Sequence, residues 1–173
     1  YTTLFRSILG MGDIVSLVER AQEQFDEQEA LRRMQSEPRY QAAQRYYSPT
    51  SWLILVDCTT CRLAIFKGSQ GNWRTYDIYP VGVGKPSSPS KHGVWSVGSR
   101  GYSFGHGYTC YYWVQYYNDY LFHSIKYNEG TFDVQDGSLG RQVSMGCVRQ
   151  ALDKAKWLYD NIPSGTTAVV YDS

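Results

Sequence analysis

From Asp13 to Met34 the apolar residues Ile14, Leu17, Val18, Ala21, Phe25, Leu31 and Met34 recur at helical spacing, with Gln and Glu on the opposite face. The stretch holds neither Gly nor Pro, and it predicts one long amphipathic helix with a shorter one near 39–46. Ser48-Pro49-Thr50 closes this segment, because proline restricts its predecessor to extended backbone. Beyond it the period changes to that of strands. Trp52–Asp57, Arg62–Lys67, Thr75–Val83 and Val94–Gly98 are short runs rich in β-branched and aromatic residues, and Gly and Ser punctuate them. Tyr111–Tyr117 and Tyr120–Ile125 predict a hairpin turning at Asn118-Asp119. Leu152, Ala155, Leu158, Tyr159 and Ile162 form the stripe of a single late helix. Pro163-Ser164-Gly165 ends that helix, and Thr166–Tyr171 follows as a closing strand. The expected organisation is an N-terminal helical segment or linker over 1–50 and a mostly β domain with one late helix over 51–173.

At 173 residues and 19.8 kDa, the chain suffices for one well-buried domain plus an appendage. The first 47 residues carry six basic and seven acidic side chains, a mixed surface. Such a helix would pack on the domain, link it to something upstream, or bind a partner. Lys plus Arg total 17 and Asp plus Glu 16, so the charge offers no electrostatic footprint for nucleic acid or an anionic membrane. An aromatic content of 16% argues against disorder. The longest apolar run, Trp52–Val56, is a strand length and far from the roughly 18 residues that span a bilayer. With Tyr1 in place of Met and no leader pattern, the chain reads as a fragment or processed form. Any signal, upstream domain or membrane anchor is expected to lie outside it.

Four cysteines are too few for a disulfide scaffold at this length. Cys58-Thr59-Thr60-Cys61 has no second pair nearby to complete a zinc site, and it separates two strand-like runs, so a hairpin corner with structural cysteines is expected. Cys110 lies in an aromatic run and reads as core. Of three histidines, His92 and His106 sit in Gly- and Ser-rich loops, whereas His123 lies within a strand pattern opposite Phe122. Twenty-odd residues on comes Ser144-Met145-Gly146-Cys147-Val148-Arg149, read as leading directly into the late helix. A cysteine at a helix N-terminus would have its thiolate favoured by the dipole, and the free N–H groups could hold an oxyanion. Gly146 would let a substrate carbonyl approach the backbone, and the Arg149 fork could meet a carboxylate. Spacing alone leaves two readings open: a Cys–His acyl-transfer site, or a buried cysteine beside a satisfied strand histidine.

On these residues the sequence resembles the L,D-transpeptidase (YkuD) catalytic domain of bacterial cell-wall enzymes. That family has a His, then Ser/Thr-His-Gly-Cys followed by an apolar residue and Asn or Arg. His123 and Ser144–Arg149 match it, with Met145 in place of the family's second His. Tyr79–Gly84 with Ser88–Trp95, Leu139-Gly140, Ala155–Asp160 and Pro163–Thr166 extend the likeness over 52–172. The resemblance implies a YkuD-like β-sandwich. It also implies Cys147 as nucleophile, His123 as base steadied by a backbone carbonyl, and an oxyanion hole at the Ser144–Cys147 backbone around Gly146. Met145 and Arg149 would contact substrate, with a structural salt bridge as the alternative role for Arg149, and no cofactor or metal would be needed. The partners would be donor and acceptor stem peptides of peptidoglycan, and the location the extracytoplasmic cell wall. A 3→3 cross-link would form with release of D-alanine; water as acceptor would give an L,D-carboxypeptidase.

Twelve of the 27 aromatics fall between Trp95 and Tyr127 with only Arg100 and Lys126 as basic company, which suits a glycan- or peptide-lined cleft better than a nucleic-acid groove. Three rivals remain. A catalytically silent cell-wall peptide-binding module is favoured by Met145. A papain-like or NlpC/P60 peptidase is disfavoured because His123 precedes Cys147. A redox protein built on Cys58 and Cys61 lacks a βαβ pattern.

Overall fold

The computed structural model describes residues 11–173 and divides into two units, one ending at Gln41 and one spanning Ala42–Ser173. In the first unit α1 (Met11–Ser36) overruns the predicted helix by two residues at each end. Asp13 in its first turn and Arg33 in its last complement the helix dipole. Ile14, Leu17, Val18 and Phe25 are exposed, while the side chains of Leu31 and Met34 lie outside the described residues. The short α2 (Pro38–Ala43) follows.

The β domain is a two-sheet sandwich. Its first sheet uses β1 (Trp52–Asp57), β2 (Arg62–Lys67), β3 (Arg74–Pro80), β5 (Gly93–Ser96) and β13 (Thr167–Tyr171), in the order β3-β2-β1-β13-β5. Only the central β1–β13 pair is parallel. The second uses β6 (Arg100–Phe104), β7 (Cys110–Tyr117), β8 (Tyr120–Ser124) and β12 (Val148–Gln150), in the order β12-β8-β7-β6. Two small pairs, β4 (Val83–Gly84) with β11 (Gln142–Ser144) and β9 (Lys126–Tyr127) with β10 (Val134–Asp136), frame one end. The late helix is α3 (Leu152–Asn161).

Ile54, Val56, Leu63 and Ile65 from the first sheet meet Val114, Tyr116, Phe122 and Val148 from the second, with Leu158 and Ile162 sealing the same core. The alternate residues Leu53, Leu55, Ala64 and Phe66 are also fully buried, so β1 and β2 are covered on both faces. That accounts for the unbroken apolar run at Trp52–Val56. Residues 42–50 help cover the outer face. The Gln44 side chain brackets Trp73, donating to its carbonyl at 3.0 Å and accepting its N–H at 2.9 Å. Trp73 Nε1–H donates to Tyr46 O, and Ser48 Oγ accepts the Thr167 N–H. The compact unit therefore begins several residues before Pro49.

The expected Thr75–Val83 strand is broken after Pro80. Val81 N–H bonds Cys61 O, and Gly82 exchanges both backbone hydrogen bonds with Arg149 at 2.7 and 2.8 Å. The Cys58–Cys61 corner is a hairpin turn. Asp57 accepts the N–H groups of Thr59 and Thr60, and Cys61 sits at φ +51°.

Candidate active site

The β7–β8 hairpin turns at Asn118-Asp119, with Asn118 at φ +41°. Along β8, Phe122 enters the core and His123 the opposite side, where it is 5% exposed. β12 runs parallel to β8 and pairs Val148 with Phe122 and Arg149 with His123. This register brings Cys147 alongside Leu121, whose N–H points at Sγ from 3.4 Å, while the thiol faces Asp119 O at 3.6 Å.

One expectation is overturned here. Cys147 does not open a helix. β12 and Ala151 intervene before α3 begins at Leu152, because Val148–Gln150 are drawn into the sheet by β8. The helix dipole is therefore not what prepares the thiol. Burial pushes the Cys147 thiol up from its ordinary value, against the lowering pull of the Leu121 N–H. At rest it is a protonated thiol.

His123 Nδ1 lies 2.6 Å from Ser124 O. A carbonyl only accepts, so Nδ1 carries the proton and Nε2 is left as the basic nitrogen. Burial lowers its pKa from 6.5 to about 4, outweighing the Ser124 carbonyl, with Arg149 and Lys126 adding to the drop. A neutral imidazole at physiological pH is a proton acceptor, and the Phe104 ring packs edge-on at 5.1 Å to fix its plane.

Ser144, Gly146 and Cys147 form one turn. The Ser144 hydroxyl accepts the Gly146 N–H at 3.1 Å and donates to Cys147 O at 2.5 Å, so it ties both ends. Gly146 has φ +122°, and a Cβ there would come within 2.7 Å of the Tyr120 ring. Glycine is required by this close approach as well as by its backbone angle. Its N–H is already committed to Ser144.

Cys147 and His123 line one cavity of about 230 Å³ together with Lys85, Phe104, Tyr108 and Arg149. Cys147 and Phe104 also border a second hollow of about 520 Å³, walled by Trp113, Gln115, Asp119 and Leu121. The thiol sits where the two meet.

The model of the YkuD family, the L,D-transpeptidase catalytic domain, matches residues 51–170. The chain belongs to the L,D-transpeptidase catalytic-domain family. The Bacillus subtilis (strain 168) protein YciB, named for L,D-transpeptidase activity, is 34% identical over 84 residues, which are 46% of this chain and 41% of that protein. A fused Zn-dependent amidase/peptidase/peptidoglycan-binding domain-containing protein from Clostridium acetobutylicum ATCC 824 is 32% identical, with a TM-score of 0.65 over 76% of this chain and 57% of that one. The L,D-transpeptidase LdtMt1, solved in complex with imipenem, shares the fold at 18% identity, with a TM-score of 0.56 over 70% of this chain and 59% of that one. The chain thus spans about half the length of these relatives.

Within this L,D-transpeptidase domain, Arg149 is only 2% exposed and its Nη1 donates to Asp136 Oδ2 at 2.7 Å. Its Nε is buried with no hydrogen-bond partner among the described residues, while the side chain lines the smaller cavity. Asp136 is held well below the usual carboxylate range, first by the Ser138 N–H and hydroxyl and then by Arg149. Met145 is 82% exposed at the cavity rim. His106 is exposed and lines neither cavity. Phe104 and Tyr108 belong to the aromatic run read as a cleft, whereas Lys85 and Lys126 were not singled out from the sequence as site residues. Lys126 adjoins the predicted His123 strand, and its Nζ lies 4.4 Å from the Tyr108 ring centroid, but only the fold turns these groups toward the thiol.

Proposed function

We propose that this domain is a peptidoglycan L,D-transpeptidase acting through a cysteine thioester. The observation that carries the reading is the neutral Cys147 thiol and the Nδ1-anchored His123 lining one cavity in an L,D-transpeptidase domain. His123 Nε2 takes the thiol proton as Sγ attacks the carbonyl of the third, diamino-acid residue of a tetrapeptide stem. The N–H of Cys147, one residue past the bond that occupies Gly146, is our oxyanion donor. The tetrahedral adduct collapses, His123 returns the proton to the leaving D-alanine amine, and a thioester remains. The side-chain amine of a second stem then attacks, surrenders its proton to His123 and expels the thiolate, leaving a 3→3 cross-link. Water in the same place would give carboxypeptidase activity.

The two cavities meeting at Cys147 support separate donor and acceptor approaches. Lys85, Lys126 and Arg149 outnumber the one carboxylate lining the smaller cavity, Asp136, and leave it cationic, which suits a stem peptide carrying carboxylates. Met145 at the rim would brush the incoming stem. Such a substrate places the domain outside the cytoplasm, in the cell wall; among the described residues no helix is long and apolar enough to cross a membrane.

The test is intact-protein mass spectrometry after incubation with a carbapenem, with native protein beside Cys147→Ala and His123→Ala. A stable adduct on native protein, absent from Cys147→Ala and slowed in His123→Ala, is expected. No adduct on well-folded native protein would overturn the enzyme reading in favour of a silent binding module.

A further inference from the structure

Sequence spacing left Cys58 and Cys61 without the partners of a metal site, yet the fold brings two to Cys58. The side-chain ligand atoms of Cys58, His92 and Asp172 all lie within 4.8 Å of one another. They come from three separate places: the β1–β2 turn, the loop before β5, and the chain just past β13. We propose that Cys58, His92 and Asp172 form a tetrahedral transition-metal site of the zinc type, distinct from the catalytic cavity, with the fourth position left to water.

The spacing fits an ion better than a direct contact. His92 Nε2 and Asp172 Oδ1 stand 3.6 Å apart, too far for a hydrogen bond. With metal–ligand bonds of about 2.0–2.3 Å, the edge of a coordination tetrahedron is about 3.3–3.8 Å. Cys58 is 5% exposed, so the site has one buried soft ligand and two ligands open to solvent, an entry path for the ion. Burial holds the Cys58 thiol protonated, pushed up to about 12 with Asp172, Cys61 and Asp57 adding to it. A bound cation reverses that balance and displaces the Cys58 thiol proton to solvent.

The site would brace the active-site turn from behind. Ser90, two residues before His92, accepts the Gly84 N–H at 3.0 Å, and its hydroxyl lowers the pKa of both Cys58 and Tyr116. The Tyr116 hydroxyl in turn donates to Gly146 O at 3.4 Å. Fixing residues 90–92 to the β1–β2 turn therefore steadies the carbonyl beside Cys147.

The experiment uses the full chain carrying Cys147→Ala, which removes the catalytic thiol as a competing ligand, in reduced and metal-free form. Titration with Co²⁺ is expected to give a thiolate-to-cobalt charge-transfer band and the visible bands of a tetrahedral ion at one equivalent. Zn²⁺ should displace it and raise the Tm by about 5 °C or more at a hundredfold excess over Kd. Adding Cys58→Ser should abolish the charge-transfer band, and His92→Ala, at an exposed side chain that leaves the fold intact, should weaken Co²⁺ binding at least tenfold. No band at millimolar Co²⁺, a band that survives Cys58→Ser, or an unchanged Kd in His92→Ala would each overturn the site. So would a Cys58–Cys61 disulfide that resists millimolar thiol reductant.

Discussion

The protonation state of Cys147 and His123 has a consequence that separates this site from one that rests as a thiolate–imidazolium pair. Burial raises the thiol above 9.0, so at pH 7 less than about 1% of it is thiolate (10⁻² from a gap of two pH units). His123 titrates near 4 and is neutral there, so no imidazolium holds a thiolate in place. Alkylation by iodoacetamide, which takes the thiolate alone, should rise about tenfold per pH unit from pH 6 to 9 with no plateau between. Acylation by a carbapenem at pH 7 needs the proton removed in the same step, so His123→Ala should slow it by about 10²–10⁴-fold. The same variant alkylated at pH 10, where solvent base suffices, should differ from native protein by less than about threefold. Both rates are read by intact mass against time on one preparation. A flat alkylation rate from pH 5 to 8, lost in His123→Ala, would mean a standing ion pair and would refute the reasoning.

Four further outcomes follow from the geometry. His123 binds its proton at about 4 when folded and near 6.5 when unfolded, so the unfolded state takes up protons first on acidification; stability is complete above pH 6.5 and falls by about 3 kcal/mol as the pH drops to 4. Urea midpoints at each pH will read this, and His123→Gln should flatten that window. Gly146→Ala forces a side chain onto the Tyr120 ring at φ +122°, and should cost about 1–3 kcal/mol and at least tenfold in acylation, measured by thermal melting and adduct formation. Asp136→Asn leaves the buried Arg149 guanidinium without its anion; as the Asp136 side chain is 40% exposed, the expected loss is about 2 kcal/mol rather than the larger cost of a fully buried pair. Ser144→Ala removes both ties of the Cys147 turn and should lower acylation at least tenfold while leaving far-UV circular dichroism unchanged.

Elements that depend on their own residues were legible in the sequence. β1, β2, the β7–β8 hairpin and α3 fall within a residue or two of their expected bounds because alternation or helical spacing persists for five residues or more. β9 to β12 did not show, since each is two or three residues long and exists only through its partner. Val148-Arg149-Gln150 is the instructive case. It is fully buried and follows β8, and with α3 so close behind it reads as the approach to a helix. Parallel pairing joins residues 26 apart, a relation no local window contains.

That misreading bears on the chemistry, because it exchanges one activating device for another. A cysteine at a helix start would borrow its thiolate from the dipole and need little from a histidine. A cysteine entering a strand has no such field, and here burial works against its ionisation. What the strand supplies is register. The β8–β12 pairing seats Cys147 beside Leu121 and sets Arg149 across from His123, so thiol, base and cation open on one cavity without a loop having to order. The histidine must then remain neutral to accept a proton, and the burial that hinders the thiol is what keeps it so. On the proposed chemistry the same low-polarity environment thus imposes the cost on Cys147 and provides the base that meets it, and His123 is expected to be indispensable at neutral pH and dispensable only where solvent hydroxide takes over.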